Sequence, residues 1–143
     1  PVRERLRAID SPRPFPTGYT PRRDELPLLP MECRRSEVPG LPGLSVFLAP
    51  GHTWGQQAIA FTDTRGRAVV LTPDVLPTRN HVGAAYSLGY DVEPYTSMIS
   101  RHWFLESAAE EGWLLVLDHE PGNPLFTVKR DGKGWYALEQ VAE

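Results

Sequence analysis

Nine of the fifteen prolines fall within the first 43 residues, and that distribution confines regular structure to the rest of the chain. Proline fixes φ and lacks an amide hydrogen, so Ser11-Pro12-Arg13-Pro14-Phe15-Pro16-Thr17-Gly18-Tyr19-Thr20-Pro21 supports neither a helix interior nor a central strand. Residues 1–43 therefore read as an extended proline-rich segment, and residues 44–143 as the part able to build a core. Two readings of the first segment stay open. It is either a disordered leader or an insertion lying over a substrate cleft with Phe15 and Tyr19 as contacts.

Beyond residue 43 the pattern is of short apolar runs stopped by turn residues. Leu44 to Ala49 form one such run, and Pro50-Gly51 ends it. Gln57 to Thr62 and Arg67 to Thr72 flank Asp63-Thr64-Arg65-Gly66, the signature of an antiparallel hairpin. Ala68-Val69-Val70-Leu71 is continuously apolar, as an interior strand buried on both faces requires. Pro94 suits the first turn of a helix running to about Glu111, with Tyr95, Met98, Ile99, His102, Leu105 and Ala109 at helical spacing and His102 structural. Gly112 stands where a helix C-cap is expected, and Trp113 to Leu117 follow as a second buried strand. Leu125–Arg130 and Gly134–Leu138 flank Asp131-Gly132-Lys133 as a further hairpin.

Three of these strand ends carry chemistry: His52 after the first, Asp74 after the hairpin, and His119 after the strand that follows the helix. Loops at strand ends hold reactive groups on a rigid scaffold. Taken alone, Asp74 reads as a turn or helix cap. Beside two histidines in equivalent places it becomes a candidate metal ligand, and two imidazoles with one carboxylate suit zinc or a similar ion.

Pro50-Gly51-His52-Thr53-Trp54-Gly55 resembles the third metal motif of the metallo-β-lactamase fold superfamily, P-G-H-T-x-G. Val69 to Asp74 resembles its strand ending in a metal-bridging aspartate, and Leu114 to His119 its last strand-borne histidine ligand. Roughly residues 38–139 are similar to the family in the order and spacing of these motifs, most of all to its uncharacterised and lactonase-like hydrolase branches. The resemblance implies an α+β fold, the C-terminal half of an αββα sandwich, with mostly antiparallel strands and an outer helix. It also implies two divalent metal ions, zinc by preference, with His52 on one, His119 on the other and Asp74 between them. Thr53 and His81 would stand behind these ligands. The implied activity is hydrolysis of an ester, lactone or related bond in a small-molecule substrate by a metal-bound hydroxide.

The chain departs from the family at three points. Pro73 stands where glycine usually precedes the aspartate, and Gln56 where a second histidine is common. The H-x-H-x-D-H motif is absent, since the four histidines are His52, His81, His102 and His119. With a start at Pro1 that reads as the tail of a helix, the expectation is of an incomplete unit, inactive alone, whose missing N-terminal half carries that motif. A homodimer stays open. The alternative is a non-catalytic β-rich binding domain or a degenerate homologue.

Composition removes other classes. A formal net charge of -3 and a pI near 5.8 give no basic face for a phosphate backbone, so nucleic acid is not expected as a partner. Cys33 is the only cysteine, no run is long enough to cross a bilayer, and the expected compartment is a reducing cytoplasm with no membrane partner.

Overall fold

The computed structural model describes residues 35–83 and 85–142. Among them, seven strands form one sheet in sequence order: β1 (Ser36–Glu37), β2 (Leu44–Leu48), β3 (Gln57–Thr62), β4 (Ala68–Thr72), β5 (Leu114–Leu117), β6 (Leu125–Arg130) and β7 (Tyr136–Gln140). Neighbours are antiparallel except β4 and β5, which run parallel with Val70 opposite Leu115. Antiparallel partners need only a turn, whereas parallel partners need a crossover. Helix α1 (Pro94–Glu111) is that crossover, preceded by a short 3₁₀ turn at Arg79–His81. Gly112 ends α1 in the left-handed region (φ 68°, ψ 40°), which glycine enters without steric cost.

The topology has one consequence for chemistry. β2 and β4 are both antiparallel to β3, and β5 is parallel to β4, so all three point the same way. Their C-terminal ends, which lead to His52, Asp74 and His119, lie on one edge of the sheet.

Alternation sorts the side chains. Phe47, Ala58, Ala60, Val70, Leu115, Phe126 and Val128 occupy one face and meet Phe104, Leu105 and Ala108 of α1. Phe47, Trp103, Phe104 and Trp113 pack with ring centroids 5.5–6.4 Å apart, mostly edge-on or tilted, as aromatic quadrupoles favour. The opposite face is also apolar. Cross-strand partners Val46, Ile59, Leu71, Val116 and Leu125 form one row on it, and Leu44, Phe61, Val69 and Leu114 another. Ile59, Phe61 and Leu71 are each 38% exposed, so β4 is interior to the sheet but only partly covered on this side.

Two features differ from the sequence reading. Strand β1 lies inside the proline-rich stretch, where Ser36 and Glu37 pair with Val46 and Ser45. The buried face of α1 is also rotated from the expected one. It consists of Ser97, Ser100, Arg101, Phe104, Leu105 and Ala108, while Tyr95 and His102 are exposed. Helical periodicity of apolar residues pointed elsewhere because two residues of this face, Ser100 and Arg101, satisfy loop carbonyls, a demand that hydrophobic patterning does not record.

Phe104→Ala should cost about 3–5 kcal/mol, the range for an aromatic removed from a packed core. Trp135→Ala, at an exposed position, should stay within about 0.5 kcal/mol. Urea unfolding of both variants checks this, and equal losses would overturn the assignment of the core.

Candidate metal centre

His52 hangs from a turn that only glycine permits. Gly51 has φ 131°, and a Cβ there would lie 2.2 Å from the Ser97 amide nitrogen, so the turn sits directly on the first turns of α1. Main-chain bonds lock it: Gly51 N–H donates to Thr53 O at 3.1 Å, Val92 N–H to His52 O at 3.2 Å, and Glu93 N–H to Gly51 O at 2.8 Å. Thr53 closes the turn through its carbonyl, with the residue itself exposed.

The His52 ring lies between two carboxylates. Its Nδ1 is 3.0 Å from Asp91 Oδ1, and the Asp91 side chain is wholly buried, with Oδ2 accepting from the Leu88 amide at 3.1 Å. An ionised carboxylate only accepts, so Nδ1 carries a hydrogen toward Asp91 and Nε2 is the ring atom left to face the second carboxylate. Nε2 lies 3.5 Å from Asp74 Oδ2. The other oxygen, Asp74 Oδ1, is 3.2 Å from His119 Nε2. One carboxylate thus offers a separate oxygen to each of two imidazoles, and the three residues singled out in sequence converge.

Opposed lone pairs repel unless a proton or a metal cation lies between them. Two donors on a tetrahedral zinc, with bonds near 2.0–2.2 Å, are about 3.3–3.6 Å apart, close to the 3.5 Å and 3.2 Å found here. Three further observations fit a cation. Asp118 also reaches His119 Nε2, at 3.7 Å, and Asp74, Asp118 and His119 offer ligand atoms all within 4.8 Å of one another. Burial raises the Asp118 pKa, His119 lowers it and the Asp74 charge raises it again, a repulsion that a cation would relieve. Finally, Gln56 Nε2 donates to Asp74 Oδ2 at 3.2 Å while its Oε1 is buried with no hydrogen-bond partner among the described residues. The residues present fit a divalent metal.

His119 is 62% exposed in its side chain, and main-chain tethers hold its loop instead. Its amide donates to Pro77 O at 3.1 Å, and the next residue, buried Glu120, accepts from both the amide (2.8 Å) and Nε of Arg79. Burial alone would raise the Glu120 pKa, but the Arg79 amide, guanidinium and charge outweigh it and hold the carboxyl below its ordinary value. His81 is placed differently from the other histidines. Its Nδ1 meets Thr78 Oγ1 at 2.8 Å, and no contact among the described residues joins it to the three converging side chains. His102 packs on Tyr136, with ring centroids 5.8 Å apart. Phe15 and Tyr19 lie outside the described residues.

Sequence reasoning left Asp91, Asp118 and Gln56 without roles. For Asp118, adjacency to His119 was the available signal; for Gln56, its place in the motif. Asp91 had none beyond an acidic residue before a helix, because its partner lies 39 positions away.

No protein-family model matches the sequence, and a search of curated proteins finds no match. Solved structures do match. AidC, a dizinc quorum-quenching lactonase in complex with a homoserine product, is 17% identical with a TM-score of 0.65 over 78% of this chain and 37% of its own. The hydrolase AbOPH of the β-lactamase superfamily is 18% identical with a TM-score of 0.64, over 72% of this chain and 36% of its own. A probable metal-dependent hydrolase from Staphylococcus aureus is 20% identical with a TM-score of 0.55, over 76% and 39%.

The Arg79–Glu120 pair yields a pH prediction. A carboxyl whose folded pKa is depressed stabilises the fold above its unfolded value, about 4.3, and that contribution is lost as pH falls through the folded value. The urea midpoint should drop on acidification below about pH 4, and Glu120→Gln should flatten that limb. An unchanged acid limb in the variant would show that the pair does not act as described.

The chain spans between a third and two fifths of the length of these solved structures, and what it shares with them is the fold: it carries part of the metallo-β-lactamase fold, a mostly antiparallel sheet with an outer helix.

Proposed function

We propose that this chain supplies the His52–Asp74–His119 portion of a zinc-dependent hydrolase acting on an ester, lactone or related bond. The observation that carries this reading is the Asp74 carboxylate, each oxygen of which faces a different imidazole nitrogen, at 3.5 Å and 3.2 Å. AidC, dizinc and in complex with a homoserine product, supports a lactone as the substrate to test first.

When bound, a pair of divalent cations supplies Lewis acidity at a scissile carbonyl and brings the pKa of water toward about 7. The chain's own residues supply the geometry. Asp91 fixes the tautomer of His52 and so aims Nε2. Asp74 spans the two imidazoles, and Asp118 adds negative charge on the His119 side. Glu120 and Arg79 hold the loop from which His119 projects.

A catalytic zinc keeps about three protein ligands, and His52 with Asp74 supply two. In this reading the remaining ligands come from a further segment carrying H-x-H-x-D-H. The same segment would cover Ile59, Phe61 and Leu71, since soluble proteins seldom leave a broad apolar face open.

Native mass spectrometry of the chain with added Zn(II) tests the first part. Binding is expected, with Asp74→Ala weakening it by at least about 100-fold, beyond the 10–100-fold usual for a group behind the ligands. His102→Ala should leave it unchanged. Absence of zinc binding would remove the hydrolase reading, and turnover of an acyl homoserine lactone by the chain alone would remove the need for a further segment.

A further inference from the structure

The face that α1 turns to the sheet is apolar only in its C-terminal half. Toward the N-terminus it presents Ser97, Ser100 and Arg101, all with no exposure. Each attaches to a loop of the site. The Ser97 main chain abuts Gly51, and Ser100 Oγ donates to Pro50 O at 2.5 Å, so both seat the turn that carries His52. Arg101 Nε donates to Val75 O at 2.6 Å, one residue past Asp74, and Nη2 reaches Ser97 Oγ at 3.4 Å. The guanidinium also lies within electrostatic reach of the buried Asp91 carboxylate that orients His52.

A buried guanidinium is costly to desolvate, and an unbranched apolar residue of similar volume at such a place is often neutral or stabilising. Packing alone therefore does not account for arginine here. What the side chain does is tie the loop after Asp74 to the helix turn on which the His52 loop rests. Its planar fork holds two acceptors in a fixed relation, which a lysine ammonium cannot do.

We propose that Arg101 is a positioning residue that sets the Asp74 carboxylate relative to His52 by clamping the Val75 carbonyl to the turn of α1 on which the His52 loop rests. The proposal depends on reading the three converging residues as a metal centre. Arg101 itself touches neither cation nor substrate. It acts through the main chain of Val75 and through Ser97, and the 3.5 Å gap between His52 Nε2 and Asp74 Oδ2 is the quantity it controls.

The test uses the full chain and three variants, Arg101→Met, Arg101→Lys and, as a surface control, Arg130→Ala. Zn(II) affinity is measured by competition with a chromophoric chelator, and the imidazole nitrogen resonances of His52 and His102 are followed in the metal-free protein. Arg101→Met should weaken zinc binding by about 10–100-fold, the effect of losing a group that orients a ligand. It should also displace the His52 resonances while leaving those of His102 in place. Arg101→Lys should fall between, and Arg130→Ala should match the unaltered chain. A folded Arg101→Met variant with unaltered zinc affinity and unmoved His52 resonances would overturn the proposal, even if its unfolding temperature falls. Should that variant not fold, Arg101→Lys decides, with a tenfold loss supporting the clamp and equal affinity refuting it. If the unaltered chain binds no zinc, the metal-centre reading fails separately. The His52 resonances of the variants then judge Arg101 alone, displaced for and unmoved against.

Discussion

The parallel pairing of β4 and β5 is the constraint on which the rest of the structure depends. It compels a crossover, and the crossover is α1, which covers one face of the sheet and forms half of the core. It also aligns the ends of two strands. With β2 running the same way, Pro50, Pro73 and Asp118 leave the sheet at a single edge, and residues far apart in sequence come within a few ångströms. Were β5 antiparallel to β4, His119 would project from the opposite edge.

Around that edge the structure accumulates charge where apolar residues would pack more simply. Asp91 and Glu120 are buried acids and Arg101 a buried base. Removing a charge from water costs several kcal/mol unless hydrogen bonds and counter-charges compensate. Here each is compensated: Asp91 by His52 and the Leu88 amide, Glu120 by Arg79, Arg101 by the Val75 carbonyl and Ser97 hydroxyl. Such an arrangement contributes little net stability but tolerates few alternative geometries, because displacing any partner leaves a charge stranded. The core behind it, built from Phe47, Phe104, Trp113 and the sheet aliphatics, supplies the stability that allows this.

The second face of the sheet follows different physics. Val69 and Leu114 are buried on it, while Ile59, Phe61 and Leu71 stay partly open to solvent. A strand such as β4, apolar along its whole length, is suited to cover on both sides. The difference between its composition and its surroundings is the structural basis for proposing a further segment over Ile59, Phe61 and Leu71.

Much of this was legible in the sequence because it is local. Pro94 and Gly112 bound a helix, since one lacks an amide hydrogen and the other adopts positive φ, and the observed helix starts at Pro94 and ends against Gly112. The hairpins follow from turn residues and alternation, and His52, Asp74 and His119 follow from their places after strands. What lay beyond the sequence was every relation set by distance in space. Asp91 behind His52, Arg79 on Glu120, the open Gln56 oxygen and the polar face of α1 arise from which buried group must meet which partner once the chain has closed. Helical periodicity of apolar residues pointed to Tyr95, Met98, Ile99 and His102; only the tertiary structure decided that Ser97, Ser100 and Arg101 face inward, because Ser97 packs against Gly51 and the carbonyls of Pro50 and Val75 are satisfied inside the fold by Ser100 and Arg101.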